Sequence, residues 1–253
     1  MKDWALITGA TTGIGRELAT LFAADGFNLA LVARTEPRLR QTADELRSQF
    51  GINVRVLPKD LAAASSSQEI FDALTDVPVS ALVNNAGFGV HGPFAGNNLQ
   101  TQTDLMQVNM TALVQLTHLF VQPMLARDRG RILNVASTAA FQPGPTVNLY
   151  YASKAFVYSF SYALADELRD TGVTVTTLCP GTTRTEFFAR ANLPVKRGTP
   201  MMDARTVAET GYRGLMRGRR VVIPGFLNKI GSALAKRVPP RLSVAVVRRI
   251  HSH

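Results

Sequence analysis

Apolar residues recur along the chain in short runs, at Trp4–Thr8, Asn28–Ala33, Val54–Leu57, Ala81–Asn84, Arg131–Ala136, Val173–Leu178 and Val221–Ile223, with helical spacing between them. The first run carries almost no polar interruption, as a strand buried on both faces does, and the β-branched content of the runs favours strands over short buried helices. Their alternation with helical stretches predicts an α/β fold: a doubly wound parallel sheet of about seven strands with right-handed crossovers. The spacing predicts one helix from Arg16 to Ala24 and another from Tyr150 to roughly Thr171. Neither a repeat nor a linker interrupts 1–253, which reads as one domain. Segment 182–202 departs from the pattern, mixing Phe187, Phe188, Pro194, Lys196, Arg197 and Pro200, and is the candidate substrate lid.

Composition narrows the class. A chain of 253 residues, 46% apolar, can bury a full core. It has no apolar run long enough to span a bilayer, and Met1-Lys2-Asp3 leads directly into the first strand with no room for a signal peptide, so a cytoplasmic protein is expected. Cys179 is the only cysteine, which excludes an internal disulfide and a thiolate cluster, and it is expected inside a strand. His91 and His118 have no spaced partner and His251 and His253 end the chain, so no metal site is expected. The net charge of +10 lies entirely beyond Glu209, where ten Lys and Arg residues meet no acidic one.

Two groups of residues carry chemistry. Gly9-Ala10-Thr11-Thr12-Gly13-Ile14-Gly15 joins the first strand to a helix, and such a junction binds anions through free backbone N–H groups and the helix dipole. Its G-x-x-x-G-x-G spacing differs from the general G-x-G-x-x-G dinucleotide fingerprint. Further on, Tyr150 and Lys154 are four residues apart, which puts both on one helix face. An ammonium there is expected to pull the Tyr150 phenol from its usual value near 10 toward the working range, with Ser137 donating to the same substrate oxygen. Tyr151 should point elsewhere and pack, and Ser153 should serve helix packing.

Taken in order, these motifs resemble the short-chain dehydrogenase/reductase (SDR) family. Thr8-Gly9-x-x-x-Gly13-x-Gly15 is similar to its cofactor loop, Asn84-Asn85-Ala86-Gly87 to its N-N-A-G motif, Ser137 with Tyr150-x-x-x-Lys154 to its catalytic set, and Pro180-Gly181 to its P-G turn, over residues 4 to 224. The resemblance implies a Rossmann fold and adds Asn109 as a fourth catalytic residue, holding a water in a proton relay through Lys154. It assigns cofactor binding to Gly9, Thr11, Thr12, Gly13, Ile14, Gly15, Arg34, Asp60, Leu61, Asn85, Ala86, Gly87, Tyr150, Lys154, Pro180, Gly181, Thr183 and Thr185. Asp60 would meet the adenine edge or cap the element that follows, Thr185 the nicotinamide carboxamide, and Lys154 the nicotinamide ribose. Relatives are usually dimers or tetramers, so a homodimer or homotetramer is expected.

The second expected strand ends in Leu31-Val32-Ala33-Arg34, with Ala33 where an acidic residue would bind the ribose hydroxyls of NAD. A guanidinium can instead take a 2′-phosphate bidentately, so NADP(H) is expected over NAD(H). Thr12 is not basic, and a second phosphate clamp used by some relatives is missing.

The sequence therefore reads as an NADPH-dependent oxidoreductase passing hydride between nicotinamide and a carbonyl or secondary alcohol, of hydrophobic ketone, aldehyde or 3-oxoacyl type. The competing reading is a non-catalytic NADP(H)-binding sensor or membrane-docking protein on the same fold; an epimerase or dehydratase would need further acid and base groups. In the basic extension 225–253, apolar and positive residues alternate, as suits an anionic membrane surface or an acidic acyl carrier. Because Pro239-Pro240 splits the stretch, a helical element covering the domain, or an oligomer contact, is the favoured reading. Nucleic acid is not expected, since stacking aromatics are nearly absent there.

Overall fold

Strand β1 (Trp4–Thr8) is buried at every position and lies inside the sheet, between β2 (Asn28–Ala33) and β4 (Val79–Asn84). Both of its faces are covered, which is why its sequence shows no polar alternation. This computed structural model describes residues 2–194 and 198–251. With β3 (Val54–Pro58), β5 (Gly130–Val135), β6 (Val173–Leu178) and β9 (Val221–Val222), the strands form one parallel seven-stranded sheet in the order β3-β2-β1-β4-β5-β6-β9.

Side chains of successive strand residues enter opposite layers. Ala5 and Ile7 pack with Leu18, Phe22, Leu39, Val207 and Leu215 from α1 (Gly13–Ala24), α2 (Glu36–Phe50) and α8 (Ala204–Met216). Trp4 and Leu6 pack with Ile70, Leu116, Phe120 and Ala165 from α3 (Ser66–Asp72), α5 (Ala112–Ala126) and α6 (Asn148–Glu167). Strand order reverses between β1 and β4, and the two crossovers leave on opposite faces there. That switch point opens a crevice at the carboxyl edge of the sheet.

Each expected strand is present, with ends shifted by a residue or two where the ladder rather than side-chain pattern sets them. Ala136 leaves β5, for example, although its N–H still reaches the carbonyl of Leu178 at 2.8 Å. Cys179 lies one residue beyond β6, buried, donating its N–H to Val222 at 2.8 Å. Helix α1 begins at Gly13 rather than Arg16, so the last two glycines of the loop form its first turn. Helix α6 starts before Tyr150 and ends at Glu167 rather than near Thr171. Asn109 lies where α4 (Leu99–Met106) runs into α5 through a π-helical turn, Gln107–Thr111.

The expected lid holds the short strands β7 (Thr183–Arg184) and β8 (Met202–Asp203), paired with each other, and a single helical turn, α7 (Phe187–Arg190). Lys196 and Arg197 of that lid, like His253 and Met1, lie outside the described residues. Two helices close the chain, α9 (Phe226–Ala235) and α10 (Pro240–His251).

Candidate active site

The crevice begins with the glycine loop. The loop is fastened to β2 by the N–H groups of Gly9 and Ala10, which both reach the carbonyl of Val32, at 2.8 and 3.3 Å. Gly9 has φ +67°, in the left-handed region that a side chain disfavours. A Cβ on Gly15 would fall 2.3 Å from the carbonyl oxygen of Gly9, so only glycine lets the first turn of α1 fold back this closely. Thr12 precedes α1 without capping it through its side chain. The leading N–H groups therefore face the crevice with the positive end of the helix dipole, an arrangement that fits a pyrophosphate.

Thr8 connects this loop to the end of β4. Its hydroxyl donates to Val83 at 3.2 Å and accepts from the N–H groups of Asn85 and Ala86, each at 3.0 Å, while the Asn85 amide donates to the carbonyl of Thr8 at 2.9 Å. Asn85 and Ala86 are thereby brought beside Gly9. Thr8 belongs to the loop motif by sequence; its value as a bridge appears only once β1 and β4 are neighbours.

Gly87 marks the meeting of the cofactor side and the chemical side. A Cβ there would lie 3.1 Å from Asn109 Oδ1 and 3.3 Å from Lys154 Nζ. Asn109 accepts from the N–H of Phe88 at 3.0 Å and donates to the Phe88 carbonyl at 2.9 Å and to Ser153 Oγ at 3.1 Å. Ser153 in turn donates to the carbonyl of Tyr150 at 2.7 Å. Ser153 thus does more than fill helix packing, because it ties Asn109 to the catalytic helix. The π-helical turn carries this amide inward, where it is almost fully buried and has its hydrogen bonds met.

Ser137, just past β5, accepts from the N–H of Ala139 at 3.1 Å and donates to the carbonyl of Pro180 at 3.4 Å. Lys154 Nζ donates to the carbonyl of Val135 at 2.8 Å and lies 5.7 Å from the centre of the Tyr150 ring. Burial pushes the Tyr150 phenol up to about 12, against which the nearby Ser137 hydroxyl acts more weakly. Burial also pushes Lys154 down to about 8. The expected lowering of Tyr150 by Lys154 is not what the site shows: desolvation is the largest influence on the phenol, and Lys154 is not among the groups that shift it. Tyr151 turns away as expected, packing its ring over Gly144, where a Cβ would come within 2.4 Å of it.

From the lid, Phe187 lies with its ring centre 5.0 Å from that of Tyr150 and forms a wall of the site. Thr185 accepts from the Phe187 N–H at 3.3 Å, opening α7, and its methyl would be 2.8 Å from a Cβ on Gly13. Thr185 is thus seated on the glycine loop. Thr183 is buried and donates to the carbonyl of Gly181 at 2.9 Å, while the Pro180 carbonyl accepts from Thr138 at 2.8 Å, so the P-G turn is anchored to the Ser137 segment. Arg38 of α2 forms an ion pair at 3.3 Å with Glu186 in the lid, a contact across 148 positions that no local pattern marks.

Other expected residues stand apart from this cluster. Arg34 directly follows β2, is exposed, and makes no ion pair among the described residues. Asp60 accepts from the N–H of Ala62 at 3.0 Å, so it caps a turn, and Leu61 gives its side chain to the core with Ile70 and Leu74. Ile14 likewise packs on the core, leaving its backbone for the loop.

A buried polar ladder supports the catalytic helix. Asn84 Nδ2 donates to Thr117 Oγ1 at 3.0 Å and to Asn134 Oδ1 at 2.9 Å, and Asn134 Nδ2 donates to Ser161 Oγ on α6 at 2.9 Å. Nothing in the local spacing of Asn134 or Ser161 marks this ladder, because it joins two strands and two helices far apart in the chain.

The chain is similar to known proteins. The 17-beta-hydroxysteroid dehydrogenase type 3 of Mus musculus is 37% identical over 183 residues, 71% of this chain and 60% of that one. A very-long-chain 3-oxoacyl-CoA reductase of Phaeosphaeria nodorum is 39% identical over 178 residues, 68% of this chain and 52% of that one. The chain thus spans between half and two thirds of the length of these curated relatives. Among solved structures, a short-chain dehydrogenase from Sphingobium yanoikuyae in complex with NADPH superimposes with a TM-score of 0.85 at 31% identity, covering 94% of this chain and 96% of that one. The short chain dehydrogenase profile matches residues 3–195, from the first strand through the lid turn, and with the glycine loop, Asn109, Ser137, Tyr150 and Lys154 gathered on one crevice the chain belongs to that family.

Proposed function

We propose that this chain is an NADPH-dependent carbonyl reductase acting on a large apolar ketone, aldehyde or 3-oxoacyl thioester. The observation that carries the reading is the placement of the Tyr150 phenol near Ser137 and beside Lys154, with Lys154 and Asn109 both against Gly87 at the end of the cofactor crevice. Bound NADPH would supply the hydride to the carbonyl carbon. The chain's own residues handle the oxygen and its proton.

With its pKa near 12 the phenol is protonated at neutral pH, the form needed to donate as negative charge grows on the substrate oxygen. Ser137 holds the same oxygen with a second hydrogen bond, acting where charge develops. The ammonium of Lys154, largely protonated at neutral pH, stabilises the phenolate left behind. Asn109 keeps the Phe88 backbone and Ser153 in place around it.

Cofactor preference rests on Arg34. It is exposed and unpaired among the described residues, whereas Arg38 and Arg40 nearby are held by Glu186 and Glu36. A 2′-phosphate would give its guanidinium a bidentate partner. The NADPH in the Sphingobium structure supports this choice. Relatives named for a hydroxysteroid and a very-long-chain 3-oxoacyl-CoA, together with Phe187 against Tyr150, support an apolar substrate. The deciding experiment follows NADPH fluorescence and oxidation with a panel of steroid ketones, aryl ketones, long-chain aldehydes and 3-oxoacyl thioesters. Turnover on at least one class is expected; NADPH binding with no turnover on any of them would favour a cofactor-binding sensor instead.

A further inference from the structure

Helix α9 is turned inside out for a surface helix. Asn228 and Ser232 face the protein, the Asn228 amide donating to Pro224 at 2.7 Å and Ser232 being buried. Phe226 and Leu227 are each 75% exposed, and Ile230 and Leu234 continue their stripe at helical spacing. In α10, Ser243 and Val247 face inward while Leu242 and Val246 are 60% and 58% exposed. Among the described residues, seven of the twelve large exposed hydrophobic ones fall between 226 and 246. The stretch is expected to cover the domain or to make an oligomer contact; the face it lays on the domain is narrow and partly polar, with Ser232, Ser243 and Val247 buried, and most of the apolar surface points outward.

The same stretch is uniformly basic. No acidic residue follows Glu209, and Lys229, Arg241 and Arg248 stand exposed beside the apolar stripe. Lys236 is used differently, held 4.5 Å over the ring of Phe141. We propose that α9 and α10 dock on an anionic phospholipid surface, with the apolar stripe in the interfacial layer and the basic side chains on lipid phosphates. A second copy is the poorer occupant, because a two-fold contact would set this positive patch against itself with no carboxylate inside the patch to answer it. No helix among the described residues is long and apolar enough to cross a membrane, so the association is peripheral. It would also bring lipid close to the catalytic helix, since Val244 of α10 lines an apolar recess of about 430 Å3 with Tyr151 and Ala152, next to Tyr150.

Sedimentation of the full chain with phosphatidylcholine vesicles, with and without phosphatidylserine, tests this independently of any reductase activity. Binding is expected only to the phosphatidylserine vesicles and should fall as salt is raised. The Lys229→Gln, Arg241→Gln double variant should bind about 25-fold more weakly, roughly fivefold for each charge removed near the surface. Leu227→Ser with Leu234→Ser should abolish binding and leave the thermal melt unchanged. Failure of the parent protein to bind phosphatidylserine vesicles overturns the proposal. It is equally overturned if the leucine variant, in lipid-free buffer, breaks an oligomer apart, because a second copy would then be what covers the stripe.

Discussion

The Lys154 ammonium donates to the carbonyl of Val135 at 2.8 Å and rests 5.7 Å from the centre of the Tyr150 ring. The lysine is therefore held by the end of β5 as well as by its own helix, and both titrating groups sit where burial dominates. For Lys154, whose folded pKa lies near 8 against an ordinary 10.5, the unfolded chain binds the extra proton between those values. Lys154 should therefore add stability to the cofactor-free protein as pH rises through that window, because the buried ammonium is being discharged. The buried Cys179 thiol, pushed up to about 12, opposes it above its ordinary value of 9.0, so urea melts between pH 8 and 9 should show the rise in the parent and its loss in Lys154→Met.

Tyr150→Phe should lower turnover by about 100- to 10,000-fold, the range for loss of a general acid, with NADPH affinity retained. Tyr151→Phe should keep most activity. Its ring packs on Gly144 and turns from the crevice. Steady-state kinetics of the two variants side by side would reverse the assignment if the losses were exchanged.

Arg34→Ala should weaken NADPH binding by about 10- to 100-fold and leave NADH unchanged, as expected for losing a charge-assisted contact to the 2′-phosphate alone. Fluorescence titration with both cofactors measures this. An equal loss for both would place Arg34 elsewhere.

Gly15→Ala should abolish cofactor binding and cost about 1–3 kcal/mol. The new methyl would meet the Gly9 carbonyl at 2.3 Å, and that oxygen belongs to backbone that cannot yield without moving the loop. Thermal unfolding and NADPH titration together separate this from a binding defect alone.

Asn134→Val should destabilise the protein by about 1–3 kcal/mol, since it leaves Ser161 and Asn84 without one buried partner each. Activity should fall further than stability requires if the ladder positions α6. Melting temperature and turnover measured on the same preparation make the comparison.

The sequence by itself determined the sheet and the residues of the candidate site. Runs such as Trp4–Thr8 are apolar because a central parallel strand is covered on both faces, and that pattern is local, so it is legible. Glycine spacing before α1 and the Tyr150 to Lys154 interval are likewise local signals, tied to what a turn and one helix face allow. Only the tertiary structure decided how these groups are poised. The desolvation of Tyr150 and Lys154, the bridge from Thr8 to Asn85, and the ladder through Asn134 all depend on strands and helices that are distant in the chain and adjacent in space. The direction of α9 was equally hidden, for helical spacing reveals that an apolar stripe exists, whereas packing alone decides whether it faces the core or the solvent.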